Sequence, residues 1–419
     1  MTDDRGTIRA IDWAETFPSL RLLAALRIAL NFKALLLAAL GVAGTVAGWR
    51  ALDSLFVEHE GPALDAHLEI YRPWPWEHSL HPTPLTQFTS PSTWLSQSPL
   101  LTVWNELSLP FQRMYHAPSF VTFSHMLCCA LWALIVWSFF GAAISRLAAV
   151  TFARQENTSL KQLAQFVSPR WSAYFVAPLF PLVGSFLIAA LMAIVGFAMR
   201  SDWGIVAASI IWPAVLLGGF MMAFLLLGLF FGFPLMWGAV SAEGTDAFGA
   251  LSHSYSYVYQ RPMKYLLYAI IAGLAGLLGW YLVCIFATLV FELAYWGISW
   301  GAGHDRLDEV FGPRTLGKTA DTGTLILYFW NDCLRTLAFG YIFSYFWTST
   351  TVIYFLLRRS VDATELDEVY LLEKSARHGL PPLKTGPDGV PSVVDEPASV
   401  NSTESSQPVE SAIPPAATT

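Results

Sequence analysis

The chain has 419 residues, 54% of them hydrophobic and 13% charged, where an average soluble domain carries roughly 25% charge. A soluble protein of this length needs far more charge to cover its surface, so that class is excluded. The net charge of −7 belongs to the tail: residues 360–419 hold ten Asp/Glu and three Lys/Arg, and the rest sums to zero. With no basic patch, no nucleic-acid partner is expected.

A helix needs about 20 apolar residues to cross a hydrocarbon core some 30 Å thick. Six runs qualify, and they predict an all-α, polytopic transmembrane bundle of six spans. The N-terminal segment, residues 1–33, includes Asp3, Asp4, Asp12 and Glu15. Its first apolar run starts too late for a secretory signal, so the first helix is expected to stay as an anchor.

The first run, 34–49, lies between Lys33 and Arg50. The second, 120–145, carries His125 as its one titratable group beside Cys128 and Cys129. The third, 171–199, holds Pro178 and Pro181, which predict a kink. The fourth, 203–242, is long enough for two spans but lacks a polar turn sequence, so it is read as one crossing through 214–233. The fifth is 265–291. The sixth, 336–357, ends at Arg358 and Arg359. Together, 34–359 form the expected membrane domain.

Lys and Arg cluster in the N-terminal segment, between spans two and three, between spans four and five, and after span six. That density places both termini in the cytoplasm of a plasma (inner) membrane. Residues 51–119 then form an outer loop. Its nine prolines oppose one long helix, and Trp74, Trp76, Trp94 and Trp104 suggest a lobe on the headgroups. Residues 360–378 read as a short acidic helix, and 379–419, rich in Pro, Ser, Thr and acid, as a disordered tail.

Each odd-numbered span follows a similar segment: ETFPSLRLLAALRIALNFK, ENTSLKQLAQFVSPR and EGTDAFGALSHSYSYVYQRPMK. Each runs from an acid through a capping residue and a partly apolar stretch to a base. This predicts a threefold repeat of interfacial helix, span, loop and returning span. Ordinary inner-membrane loops, which are basic and amphipathic, produce the same look. In the third segment, residues 245–259 form a predicted interfacial helix capped by Thr245 or Asp246, with Phe248, Leu251, Tyr255 and Val258 on one face.

The stretch from Glu243 through Ala250, Leu251 and Ser252 to Arg261 resembles the inner loops of bacterial six-span membrane domains. One of these is the membrane domain attached to some glycerophosphodiester phosphodiesterases. The ending YFLLRRSVDATELDEVY, 354–370, is similar to a set of uncharacterised bacterial integral membrane proteins. The resemblance implies a fold and an address. It implies no activity, because this chain carries no catalytic barrel.

Candidate sites are sparse. His59, His67, His78, His81 and His116 mix with Glu58, Glu60, Asp65, Glu69 and Glu77 in the outer loop, but Pro75, Pro82 and Pro84 rob HxxH of its helical geometry. Asn331, Asp332 and Arg335 open span six, where an Asp332–Arg335 pair would anchor the helix end. His304, Asp305, Asp308 and Glu309 read as a solvated loop. Gly44/Gly48, Gly228/Gly232, Ala272/Gly276 and Ala275/Gly279 are small pairs four apart, suited to close packing inside the bundle or to self-association. Cys128, Cys129, Cys284 and Cys333 match no disulfide or zinc spacing.

HExxH is absent, and although the patterns GxSxG (Gly297–Gly301) and GxxxxGKT (Gly312–Thr319) occur, neither follows a predicted strand, the context that gives each its chemistry. No catalytic, cofactor or metal residues are therefore assigned, and none of these groups is expected. The residues point to a non-enzymatic membrane module for assembly, lipid organisation or partner binding. The alternative is a transporter or channel for a weakly charged or lipidic substrate. A solid bundle core favours the module, and a water-accessible path favours transport.

Overall fold

A computed structural model of the chain describes residues 17–56, 98–115, 119–311, 318–371, 383–385 and 391–393. A 3-10 turn, Pro18–Leu23, enters α1 (Ala24–Ala29) and α2 (Phe32–Leu55). Then come α3 (Pro99–Tyr115), α4 (Phe120–Arg154), α5 (Leu160–Val176) and α6 (Leu179–Ala198). They are followed by α7 (Asp202–Glu243), α8 (Ala247–Gln260), α9 (Pro262–Ala302), α10 (His304–Phe311) and α11 (Lys318–Asp362). The result is an all-α bundle and a multi-pass membrane protein.

Local chemistry sets the helix starts. The side chains of Asn31, Ser119, Ser201 and Asp246 each accept a hydrogen bond from a first-turn backbone N–H, at Lys33, Thr122, Gly204 and Gly249. Ser159 and Gln162 form a reciprocal capping box ahead of α5. At the other end, α7 stops at Gly244 in the left-handed region (φ 67°), where glycine carries no Cβ penalty.

Among the described residues, five helical stretches, rather than six, are long and apolar enough to cross a membrane: Phe32–Leu55, Phe120–Arg154, Leu160–Ala198 (α5 and α6 taken together), Asp202–Glu243 and Pro262–Ala302. The expected sixth, 336–357, lies within α11 but is not among them. Its hydroxyl and tyrosine side chains lower its hydropathy, and the other helices enclose it: Ser344, Thr348, Ser349 and Thr351 are fully buried. A helix sheltered by protein on all sides needs no apolar face toward lipid.

The fourth run is one continuous helix, with Pro213 and Pro234 inside it. Its 42 residues span about 63 Å at 1.5 Å per residue, roughly twice the hydrocarbon thickness. The prolines of the third run take effect earlier than a mid-helix kink: a turn at Ala177 and Pro178 separates α5 from α6.

Three helical hairpins, α2–α4, α6–α7 and α9–α11, build the bundle, and their return helices α4, α7 and α11 meet at its centre. Each return helix contributes one fully enclosed tryptophan: Trp137, Trp237 and Trp347. Trp237 stacks on Trp347, and Trp137 stacks on Phe343 at 4.3 Å. Gly141 makes the approach possible, since a Cβ there would sit 2.5 Å from Trp237 and 2.9 Å from Trp347.

The three segments predicted to repeat are each helical, but they pack against helices. In α8, Ser254 sits beside Gly232, Tyr255 on Gly228, and Tyr259 against Phe224, so α8 runs antiparallel along α7. Asp246 is its cap. Its buried face is Ala250, Ser254, Tyr257 and Val258. Of the expected face, Val258 is buried and Leu251 and Tyr255 are half-buried, while Phe248 is exposed near Phe180.

Two more expectations need correction. The last part of the outer loop is α3, inserted between α4, α9 and α11 instead of resting on headgroups. The described part of the expected acidic helix 360–378 does not form one: α11 ends at Asp362 and 363–371 run as a non-helical strap held by specific partners, while 372–378 lie outside the described residues. Within the tail expected to be disordered, Leu383–Thr385 and Pro391–Val393 pair as a short antiparallel hairpin, belonging to a separate unit that starts at residue 371.

Candidate functional site

Two apolar crevices flank Trp104, which projects from α3. Its indole meets Phe230 edge-on at 4.6 Å and Phe233 at 6.1 Å. On one side, a cavity of about 230 Å³ lies between α3, α4, α6 and α7. On the other, about 410 Å³ lies between α3, α7, α9 and α11. Trp104 and Phe230 line both and form the wall between them.

The crevices exist because the hairpins splay. The wide parts of α6 and the first half of α7 touch little besides each other, so side chains such as Phe186, Leu191, Ile210 and Phe220 stay exposed. α3 fills part of the resulting gap. Val103, Thr102 and Glu106 are buried on its inward face, and Ser98, just before its start, lies 3.5 Å from the Gly273 carbonyl in the first third of α9. The chemistry of the lining is uniform. Ser108 bears the hydroxyl in the smaller crevice, and Ser98, Tyr265 and Thr350 bear those in the larger. Such walls suit hydrocarbon and offer little to a charged solute.

One end of the bundle carries a polar network. Arg146 donates to the Ser241 carbonyl (2.7 Å) and the Tyr370 carbonyl (2.6 Å), and its guanidinium lies 3.8 Å from the Phe166 ring centre. The Tyr370 N–H donates to Ala242 O at 2.7 Å. Glu243 accepts from the Tyr354 hydroxyl and pairs with Arg358 at 3.0 Å, while the Tyr257 hydroxyl donates to Asp362. Burial, reinforced by that bond to Asp362, pushes the Tyr257 phenol above its usual range. Glu243 and Asp362 are thus both committed to partners within the chain. The network fastens the strap 363–370 to Arg146 of α4, Ala242 of α7 and Arg358 of α11.

His125 is fully buried in α4 and lies 3.0 Å from Asp53 at the end of α2, with Cys129 Sγ 3.5 Å from the same ring nitrogen. Trp49 donates to the Cys129 carbonyl at 3.0 Å. These contacts tie α2 to α4. Sequence reasoning found His125 but missed Asp53, since nothing local pairs residues on two different helices.

The other predicted candidates disperse. His59, His67, His78, His81 and His116, with Glu58, Glu60, Asp65, Glu69 and Glu77, lie outside the described residues, as do Trp74, Trp76 and Trp94. Asn331 donates to the Tyr295 hydroxyl (2.9 Å), Arg335 lies 5.8 Å from the Phe291 ring centre, and Asp332 is exposed. His304 and Asp305 sit on exposed α10, where Arg306 pairs with Glu309 at 2.7 Å. Among the described residues, no three His, Cys, Asp or Glu side chains converge as a metal site would require.

The small-residue pairs are used internally. Trp132 donates to Gly44 O at 2.9 Å and lies across Gly48; Tyr255 covers Gly228, Tyr345 covers Gly276, and Tyr341 covers Gly279. The crevices were missed altogether, because each is walled by four helices far apart in sequence. Compared with protein-family models, curated proteins and solved structures, the chain matches none.

Proposed function

We propose that this chain is a non-enzymatic membrane module that organises lipid along its flank. One observation carries the reading: the centre of the bundle is filled by Trp137, Trp237 and Trp347, while the open space lies at the side between splayed, exposed apolar helices. A carrier or channel needs a polar route or an ionisable group along its path. The described cavities are apolar, and the charged network at the Arg146 end is engaged in holding the strap. Its carboxylates each have intramolecular partners, which also speaks against acid–base chemistry there.

The inner membrane is the proposed address, with the Arg146 end and both termini in the cytoplasm. Arg146, Arg170 and Arg358 gather at that end, in keeping with the excess of basic residues on cytoplasmic sides. The resemblance of 243–261 and 354–370 to bacterial membrane proteins supports the same address. The bilayer itself is the primary partner.

Reconstitution tests the reading. Vesicles containing the purified full chain are expected to leak small ions and neutral solutes no faster than protein-free vesicles. A saturable flux of any of them would overturn the module in favour of a transporter.

A further inference from the structure

We propose that the two crevices beside Trp104 are binding sites for the acyl chains of bilayer lipids, admitted sideways past the exposed flank of α7 and, for the larger crevice, of α9. The proposal rests on the membrane-module reading and adds the site and its ligand chemistry.

The walls decide the ligand class. Ligand sites usually combine apolar surface with a few polar groups that fix orientation. Here the hydroxyls are that of Ser108 in the smaller crevice and those of Ser98, Tyr265 and Thr350 in the larger, among walls otherwise apolar, so a charged head group or a sugar would lose most of its water without replacement. A hydrocarbon chain loses nothing on entering.

The openings decide the source. Leu226 and Phe230 in the smaller crevice are 41% and 45% exposed, and Leu266 and Ile270 in the larger are 49% and 52% exposed. The same side chains therefore wall the crevices and continue onto the outer apolar surface of the helices. That surface faces the hydrocarbon layer, and the chains found there belong to membrane lipids. Partly enclosed by protein, a chain in either crevice touches more surface than one lying on a flat helix face, which favours retention over exchange.

The test uses the full chain in nanodiscs of phosphatidylethanolamine and phosphatidylglycerol, doped with a phosphatidylcholine whose acyl chain carries a diazirine. After illumination, mass spectrometry locates the adducts. Adducts are expected at Leu107 and Phe233 within the smaller crevice, and at Phe186 and Leu191 on the open surface. Ala133, a buried wall residue of the smaller crevice, offers the control. Ala133→Phe should cut the Leu107 and Phe233 adducts several-fold while leaving those at Phe186 and Leu191 unchanged. Ala133→Leu should act in the same direction if the larger side chain impairs folding.

Labelling at Phe186 and Leu191 without any at Leu107 or Phe233 would overturn the crevice proposal and leave the membrane module standing. So would crevice labelling indifferent to both Ala133 variants. Absence of labelling at Phe186 and Leu191 would instead overturn the membrane reading beneath it.

Discussion

Trp237 and Trp347 stack with ring centroids 4.2 Å apart and planes 20° from parallel, joining two return helices at the centre of the bundle. Trp137 completes the group from the third, 6.3 Å from Trp347. Gly141 and Gly238 admit these contacts: a Cβ on Gly238 would sit 2.9 Å from Tyr354. Removing the Trp347 ring leaves a cavity that the tightly packed neighbours cannot close. Trp347→Ala should cost about 3–5 kcal/mol, read as a lower unfolding midpoint in detergent, whereas exposed Trp300→Ala should leave the midpoint in place. Equal midpoints for the two variants would show that the centre is not the main source of stability.

The strap should matter where the rest of the tail does not. A chain ending at Tyr370 keeps the Tyr370–Ala242 and Arg146–Tyr370 hydrogen bonds and is expected to melt like the full protein. A chain ending at Asp362 loses both and strips Arg146 of an acceptor. An unsatisfied buried donor costs about 1–3 kcal/mol, so this shorter chain should unfold several degrees lower. Identical melting of the two truncations would contradict a fastening role.

The glycine pairs give a prediction about packing within one chain. A Cβ on Gly276 would lie 2.3 Å from the Tyr345 ring, whose hydroxyl also donates to Ala272 O at 2.7 Å. Gly276→Val should therefore destabilise by about 1–3 kcal/mol through overpacking without altering the oligomeric state seen by light scattering. A change in subunit number at unchanged stability would assign these glycines to self-association instead.

Orientation is open to direct labelling. Ser201 lies between α6 and α7 and Glu156 between α4 and α5, both exposed and at opposite ends of long helices. In a cysteine-free background, Ser201→Cys should react with an impermeant reagent in intact cells, and Glu156→Cys only after the membrane is opened. The reverse pattern would invert the proposed topology. Ser98 is unsuitable as a probe of the loop, since α3 buries it.

Helix class, the extents of the apolar runs and several caps were legible along the chain, because each depends on residues within a turn or two. Asp246 closes the start of α8 as its place before an amphipathic stretch predicts. The absence of a polar turn in 203–242 correctly implies one helix. The limits show where hydropathy stands in for environment. α11 carries Ser344, Thr348, Ser349 and Thr351 because other helices cover it, and a hydropathy sum treats that covered surface as if it faced lipid.

Placement was decided only by the tertiary structure. Trp104 reads along the chain as a headgroup anchor, until α3 sets it against Phe230 and Phe233. His125 is recognisable as a titratable group in an apolar run, yet Asp53 reaches it only because α2 and α4 pack side by side. Periodicity marks a face on α8 whose Tyr255 packs on α7, but the structure also buries Tyr257 against Tyr354 of α11 and leaves Phe248 out. Hydrogen bonding within a helix is short-range and is written into neighbouring residues. Which side chains meet between helices depends on shape complementarity across segments distant in the chain, and the crevices are the places where that complementarity fails to close.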